Sequence, residues 1–171
     1  MRGSFVRYVA SVLSVITFVS SFSFAYEIPQ KNTVYPVSPD QTLTRGSLCS
    51  NPNTYRYPEQ IAYCTRSVET SLKWQIIRMY NTKLGYHIEE SKRSQYKIDH
   101  FFPLCAGGSN NVDNLWPQHV SVYTITDPLE PEVCNKMAAG RLSQKQALIY
   151  IRDAKLNLRR APAIIATVRA L

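Results

Sequence analysis

Asp99 and His100 stand side by side in the stretch Tyr96–His119, which reads YKIDHFFPLCAGGSNNVDNLWPQH, and no other pair in the chain is better suited to hydrolytic chemistry. A carboxylate is a hard oxygen ligand for a divalent cation. An imidazole, whose ordinary pKa lies near neutrality, can take a proton from water. Phosphodiester hydrolysis needs both: a water activated in line with the leaving oxygen, and a cation that neutralises the charge building on the phosphate. Asn114 follows the Gly107-Gly108 turn and is placed to pin the returning chain beside the pair. Taken singly, each residue has an ordinary role. An Asp beside a His can be a surface ion pair, paired glycines serve many turns, and an Asn often bonds its own backbone. Their joint order and spacing carry the functional reading.

Adjacent residues of a regular strand face opposite ways, so Asp99 and His100 can share a site only at a strand end or a bend. Pro103 cannot donate a ladder hydrogen bond, which places the end of the strand just there. Gln95–Phe102 is β-branched and aromatic enough for a strand, and Val112–Gln118 can return beside it, making a hairpin with a long loop. Upstream, Val68, Leu72, Ile76 and Met79 recur at three- and four-residue steps, predicting an amphipathic helix from Ile61 to about Tyr80, with Gly85 ending the region. Downstream, Val133, Met137 and Ala138 predict a short helix stopped by Gly140. Ser143 caps another through Ala147, Leu148, Ile151 and Leu156, and the tail Ala161–Leu171 adds a last one.

The first 25 of the 171 residues read as a secretory signal. Arg2 and Arg7 precede an apolar run from Tyr8 to Phe24, and small residues stand at the cleavage positions of Ser23-Phe24-Ala25. Serines and a threonine dilute that run, so cleavage is expected over a membrane anchor. Removing Arg2 and Arg7 takes the net charge from +8 to +6, a balance that attracts polyanions such as nucleic acid or envelope surfaces. Residues 26–54, with prolines at 29, 36, 39 and 52, read as an irregular N-terminal arm, and 55–171 as the functional domain, with its motif core at 96–130. Four cysteines in an exported chain usually pair. Of the three connectivities, Cys49 with Cys64 and Cys105 with Cys134 is preferred, and a zinc knuckle is disfavoured because no C-x-x-C occurs. The implied location is secreted or periplasmic.

The run Asp99-His100-Phe101-Phe102-Pro103-Leu104, then Gly107-Gly108-Ser109, then Asn114-Leu115-Trp116-Pro117-Gln118 resembles the HNH endonuclease family. The close match spans about 25 residues, and a looser one to secreted bacterial HNH-type proteins runs from Tyr55-Arg56-Tyr57-Pro58 to Gly140-Arg141-Leu142. The resemblance implies an α+β fold with a ββα-metal hairpin-and-helix core embedded among helices. It also implies His100 as general base, Asp99 as metal ligand and Asn114 as organiser of the loop. The family's last ligand lies on the helix after the second strand. Here His119 follows the motif directly, while Asp127 and Glu130 stand nearer the usual distance; His119 ranks first as the further metal ligand beside Asp99, with Asp127 next and Glu130 the remaining alternative.

The expected activity is metal-dependent endonucleolytic hydrolysis of DNA, with RNA as a second substrate, at low sequence specificity. Mg²⁺ or Mn²⁺ is favoured over Zn²⁺. Lys92, Arg93 and Lys97 precede the Asp-His pair and are candidate phosphate contacts. The alternative is a non-catalytic, disulfide-stabilised basic protein that binds nucleic acid or an envelope polyanion on a degenerate HNH scaffold. An antibacterial toxin, with an immunity-type inhibitor as partner, is a third reading.

Overall fold

The structure, a computed structural model, describes residues 34–171. The expected signal sequence at 1–25 and the start of the arm lie outside those residues. The described residues are mixed helix and sheet, with two small antiparallel hairpins and five α-helices. Among the described residues no helix is long and apolar enough to cross a membrane.

Residues 34–53 run as bends and turns, with one isolated bridge from Leu48 to Gly108. The first hairpin follows, β1 (Thr54–Arg56) paired with β2 (Ile61–Tyr63). Its turn places Tyr57 and Gln60 at positive φ of 64° and 55°. The sequence predicts a helix beginning at Ile61, but α1 spans Thr70–Leu84. Cys64 is bonded to Cys49, and Ile61–Tyr63 is committed to the ladder with β1, so the helix waits until both constraints have passed. Gly85 ends it at φ 74°, its N–H donating to the Asn81 carbonyl at 3.1 Å.

The central hairpin joins β3 (Tyr96–His100) to β4 (Leu115–His119), with Asp99 opposite Trp116 and Tyr96 opposite His119. A helix that periodicity did not predict but that the resemblance implies after the second strand, α2 (Val120–Thr126), follows directly, then α3 (Leu129–Ala138), α4 (Gln144–Leu156) and α5 (Ala161–Ala170). Gly140 follows α3 at φ 67°. Ser143 opens α4 with a reciprocal cap, its hydroxyl accepting from the Gln146 N–H while the Gln146 side chain accepts from the Ser143 N–H. Two apolar clusters flank the hairpin. One packs Ile76, Ile77 and Tyr80 of α1 against Tyr96, Ile98, Leu115 and Trp116. The other gathers Val133 and Met137 of α3, Ile151 of α4 and Ile164 and Val168 of α5 around Phe101 and Phe102. Both preferred disulfides are formed. Cys49–Cys64 ties the arm to the end of β2, and Cys105–Cys134 ties the hairpin loop to α3.

The loop between β3 and β4 is held by Asn114, which is fully buried. Its side-chain carbonyl accepts from the Phe102 N–H at 2.9 Å, and its amide donates to the carbonyls of Phe102 (3.0 Å) and Ser109 (2.8 Å). The amide side chain thus stands in for a strand neighbour where the ladder has ended. Gly108 completes the closure: a Cβ there would lie 1.8 Å from the Phe102 carbonyl oxygen. Backbone cannot yield as a flexible side chain does. Gly108→Ala therefore lowers stability by about 2–3 kcal/mol, read as a lower urea midpoint at unchanged slope. Gly85→Ala meets no neighbour within 4 Å and carries only its positive-φ strain, about 1 kcal/mol. Equal losses at the two glycines would refute the steric account.

Candidate functional site

The strand alternation places Lys97 and Asp99 on one face of β3 and Tyr96, Ile98 and His100 on the other. Asp99 and His100 nevertheless line one cavity of about 280 Å³, because β3 ends at His100 and the cavity sits at that end. Its walls also carry Arg56, Tyr63, Arg66 and Glu130. The cavity draws on four separate parts of the chain: the first hairpin and the residues after it, the end of β3, the Pro103–Cys105 turn, and α3.

His100 is buried and bracketed by two polar partners. Asn110 donates from Nδ2 to the Thr65 carbonyl at 2.8 Å, which fixes the direction of its amide. Its Oδ1 therefore faces the Ser67 N–H (3.2 Å) and His100 Nε2 (3.1 Å). A carbonyl oxygen only accepts, so Nε2 carries the proton. On the other side of the ring, Arg66 Nη1 lies 3.4 Å from Nδ1, and a guanidinium only donates. The free lone pair of the imidazole is thus at Nδ1, towards Arg66. Burial lowers the His100 pKa from its ordinary value; the bond to Asn110 opposes this and the charge of Arg66 reinforces it. A neutral imidazole with a defined tautomer is the form a general base requires.

Asp99 is buried and meets two ammonium groups. Lys155 Nζ lies 2.8 Å from its Oδ2 and Lys97 Nζ lies 3.3 Å from its Oδ1. Lys155 also donates to Glu130 Oε1 at 3.0 Å and to the His100 carbonyl at 2.6 Å, so all three of its hydrogens are taken. Lys97 reaches Asp127 Oδ1 at 2.6 Å. Burial alone would raise the Asp99 carboxyl, but the charges of Lys155 and Lys97 overcome it and hold the group below the usual carboxylate range. The same burial, helped by the negative charge of Asp99, outweighs Lys155 at Glu130 and pushes that carboxyl up. Lys155 would lose its proton more easily through burial, yet the carboxylates of Asp99 and Glu130 hold its pKa above that of an ordinary lysine.

One ligand oxygen from each of Asp99, Asp127 and Glu130 lies within 4.8 Å of the others. This donor set is all carboxylate, which suits Mg²⁺ or Mn²⁺ better than Zn²⁺. The ammonium groups of Lys97 and Lys155 lie among these oxygens. His119 is not part of the set. It lies opposite Tyr96, three residues from the Asp99–Trp116 pair, which is roughly 10 Å along the strand, and on the other face. There it caps α2, its Nδ1 accepting from the Ser121 N–H at 3.2 Å, and its ring stacks on Tyr35 at 3.9 Å. The expectation of His119 in the ligand set is therefore corrected: a cap and a stacking partner occupy it, while Asp127, also expected, and Glu130 lie beside Asp99.

The other sequence-derived residues fall in different settings. Asn114 does not line the cavity; it holds the loop behind it. Lys92 pairs with Glu89 at 3.2 Å, and Arg93 donates to the Tyr96 carbonyl at 2.5 Å and lies over Trp74. Lys97 belongs to the carboxylate cluster rather than to an open surface. The cations that face the cavity are Arg56, stacked over Tyr63 at 3.3 Å, and Arg66. Sequence reasoning missed Arg66, Asn110 and Lys155. Only Lys155 left a signal: it follows Ala147 and Ile151 at four-residue steps, a charge on the apolar stripe of a predicted helix, and such a position calls for a buried counter-charge.

Lys155→Met leaves the Asp99 carboxylate without its closest partner and costs about 3–5 kcal/mol of stability. Adding Asp99→Asn removes the stranded charge and restores a large part of that loss in a double-mutant cycle of denaturation midpoints. Strictly additive losses would show that the pair is not coupled. Set against family models, curated proteins and solved structures, the chain matches none, and the site is read from its own geometry.

Proposed function

We propose that the protein is a metal-dependent endonuclease of the HNH type that hydrolyses phosphodiester bonds in DNA, and RNA by the same chemistry, with little sequence preference. One observation carries this reading: a neutral imidazole with its lone pair at Nδ1 shares an arginine-lined cavity with Asp99 and Glu130 of the carboxylate cluster. The order of β3, β4 and α2 around it supports the ββα-metal core. Asp127, at the end of α2, and Glu130, in the first turn of α3, supply carboxylates from the side where that core carries its last ligand.

In this mechanism His100 takes the proton of the attacking water at Nδ1, and Asn110 keeps the ring in the tautomer that allows it. Asp99, with Asp127 and Glu130, would hold Mg²⁺ or Mn²⁺, which when bound supplies positive charge to the phosphate and the leaving oxygen. Arg66 and Arg56 attract the anionic backbone to the cavity mouth, a charge-based contact that carries no sequence information. Two disulfides in the fold agree with export to an oxidising compartment, secreted or periplasmic, where the substrate would be foreign or environmental nucleic acid. A toxin role with an immunity-type inhibitor would use the same chemistry.

A second reading rests on a specific observation. Both oxygens of Asp99 are already met by lysine ammonium groups, a charge balance that needs no metal. Such a site would suit a protein that binds nucleic acid or an envelope polyanion without cutting it.

Plasmid nicking by the mature protein separates the two. Cleavage with Mg²⁺ or Mn²⁺ that EDTA abolishes is expected, and His100→Ala should lose at least about a hundredfold in rate while its unfolding midpoint and Mn²⁺ binding stay close to wild type. Full activity in His100→Ala would sink the mechanism. DNA binding unchanged by EDTA, with no cleavage under any divalent ion, would establish the binder.

A further inference from the structure

Arg66 occupies the atom that the mechanism needs. Its Nη1 lies against His100 Nδ1, so in the free protein the lone pair of the base faces a cation instead of a water. Two features make this a contact that can be given up. At 3.4 Å it is long for a hydrogen bond, hence weak. Arg66 is an exposed residue, tethered at its other nitrogen by the Ile98 carbonyl at 3.2 Å, so the guanidinium can pivot without leaving the cavity wall. Asn110, by contrast, is bound on three sides, to Thr65, Ser67 and His100, and holds the ring while Arg66 moves.

A guanidinium prefers an anionic oxygen to a neutral ring nitrogen, because a phosphate adds the attraction of opposite charges and can accept two parallel N–H bonds. The cavity beside Arg66 has room for a phosphate group, and Arg56 adds a second guanidinium to its lining. Asp99 and Glu130 line the same cavity, with Lys155 bonded to both.

We propose that Arg66 is a two-position residue. It covers His100 Nδ1 when the cavity holds no anion, and it transfers to a non-bridging oxygen when a phosphodiester enters, so that the substrate itself uncovers the base. This rests on the phosphodiester reading given above for its substrate class. No covalent bond is made or broken in the transfer; one hydrogen bond is exchanged for a stronger one. The arrangement keeps the base from acting on water until a phosphate is in place, and it makes Arg66 a binding residue and a gate at once.

The test is nitrogen NMR of the His-labelled mature protein at fixed pH, with EDTA present so that no divalent ion takes part. Two probes are titrated separately: inorganic phosphate and a short single-stranded oligonucleotide. In the wild type, both should move the His100 Nδ1 resonance towards a lone pair without a donor, while Nε2 remains protonated. Arg66→Gln should weaken binding of either probe by at least about tenfold, and should show the uncovered Nδ1 signal before any probe is added. Arg66→Lys keeps the charge and recovers part of the affinity, yet its Nδ1 signal starts from the uncovered value. Asn110→Ala should retain binding and lose the single tautomer.

A wild-type Nδ1 signal unmoved at saturating phosphate overturns the proposal, as does wild-type affinity in Arg66→Gln. A response to inorganic phosphate with none to the oligonucleotide overturns the phosphodiester assignment. The expected NMR response in a protein that never cuts DNA upholds the gate and brings down the nuclease reading instead.

Discussion

The Lys155 ammonium lies inside the protein with every hydrogen spoken for, joined to two carboxylates and a backbone carbonyl. Removing two charges from water costs several kcal/mol each, and only close, fully satisfied geometry offsets it. That requirement fixes the relation of three elements. The end of β3 must present Asp99, the first turn of α3 must present Glu130, and α4 must arrive at the right height to place Lys155 between them. The His100 carbonyl is the third acceptor, so the same ammonium also sets the backbone that carries the imidazole. Packing around Phe101 and Phe102 brings these elements together, and the buried ion cluster decides their register.

Around that cluster the site divides its labour by burial. The inner carboxylate, Asp99, is locked by charge, while Glu130 and Asp127 are half-buried and reach solvent. The two lysines differ in the same way. Lys155 is almost wholly enclosed, whereas the Lys97 side chain keeps about a third of its surface exposed. A ligand that competes for the carboxylates would therefore meet a movable partner in Lys97 and a fixed one in Lys155. The imidazole shows a parallel contrast between Asn110, bound on three sides, and exposed Arg66. Each essential group has one rigid and one yielding neighbour.

Much of this was legible in the chain itself where the determinants are local. The Asp-His pair, the glycine turn, Asn114, the capped helix at Ser143 and the loop glycines follow from the preferences of a few consecutive residues. Both disulfides could be preferred from spacing. The failures came where distant segments decide the outcome. The helix expected from Ile61 begins at Thr70 because a strand partner and a disulfide, neither visible in helical periodicity, hold the first residues extended. His119 looked like a ligand by its place in the motif, but the hairpin register puts it on the far face. Arg66 and Asn110 are loop residues without periodic context, and their meeting at His100 spans 34 and 10 residues of sequence respectively.

The charge pair at the heart of the site also bears on how far the hairpin can be moved. Asp99 and Lys155 are 56 residues apart, and α3 stands between them in the chain. The segment carrying the motif is therefore not a cassette that could be cut out and grafted onto another scaffold. Transplanted alone, it would carry Lys97 with Asp99 and leave the closer, buried counter-ion behind. The order of synthesis imposes the same dependence: when the hairpin leaves the ribosome, Lys155 has yet to be made. A finished site, with Asp99 held between both of its lysines, belongs only to a chain that has been extended through α4.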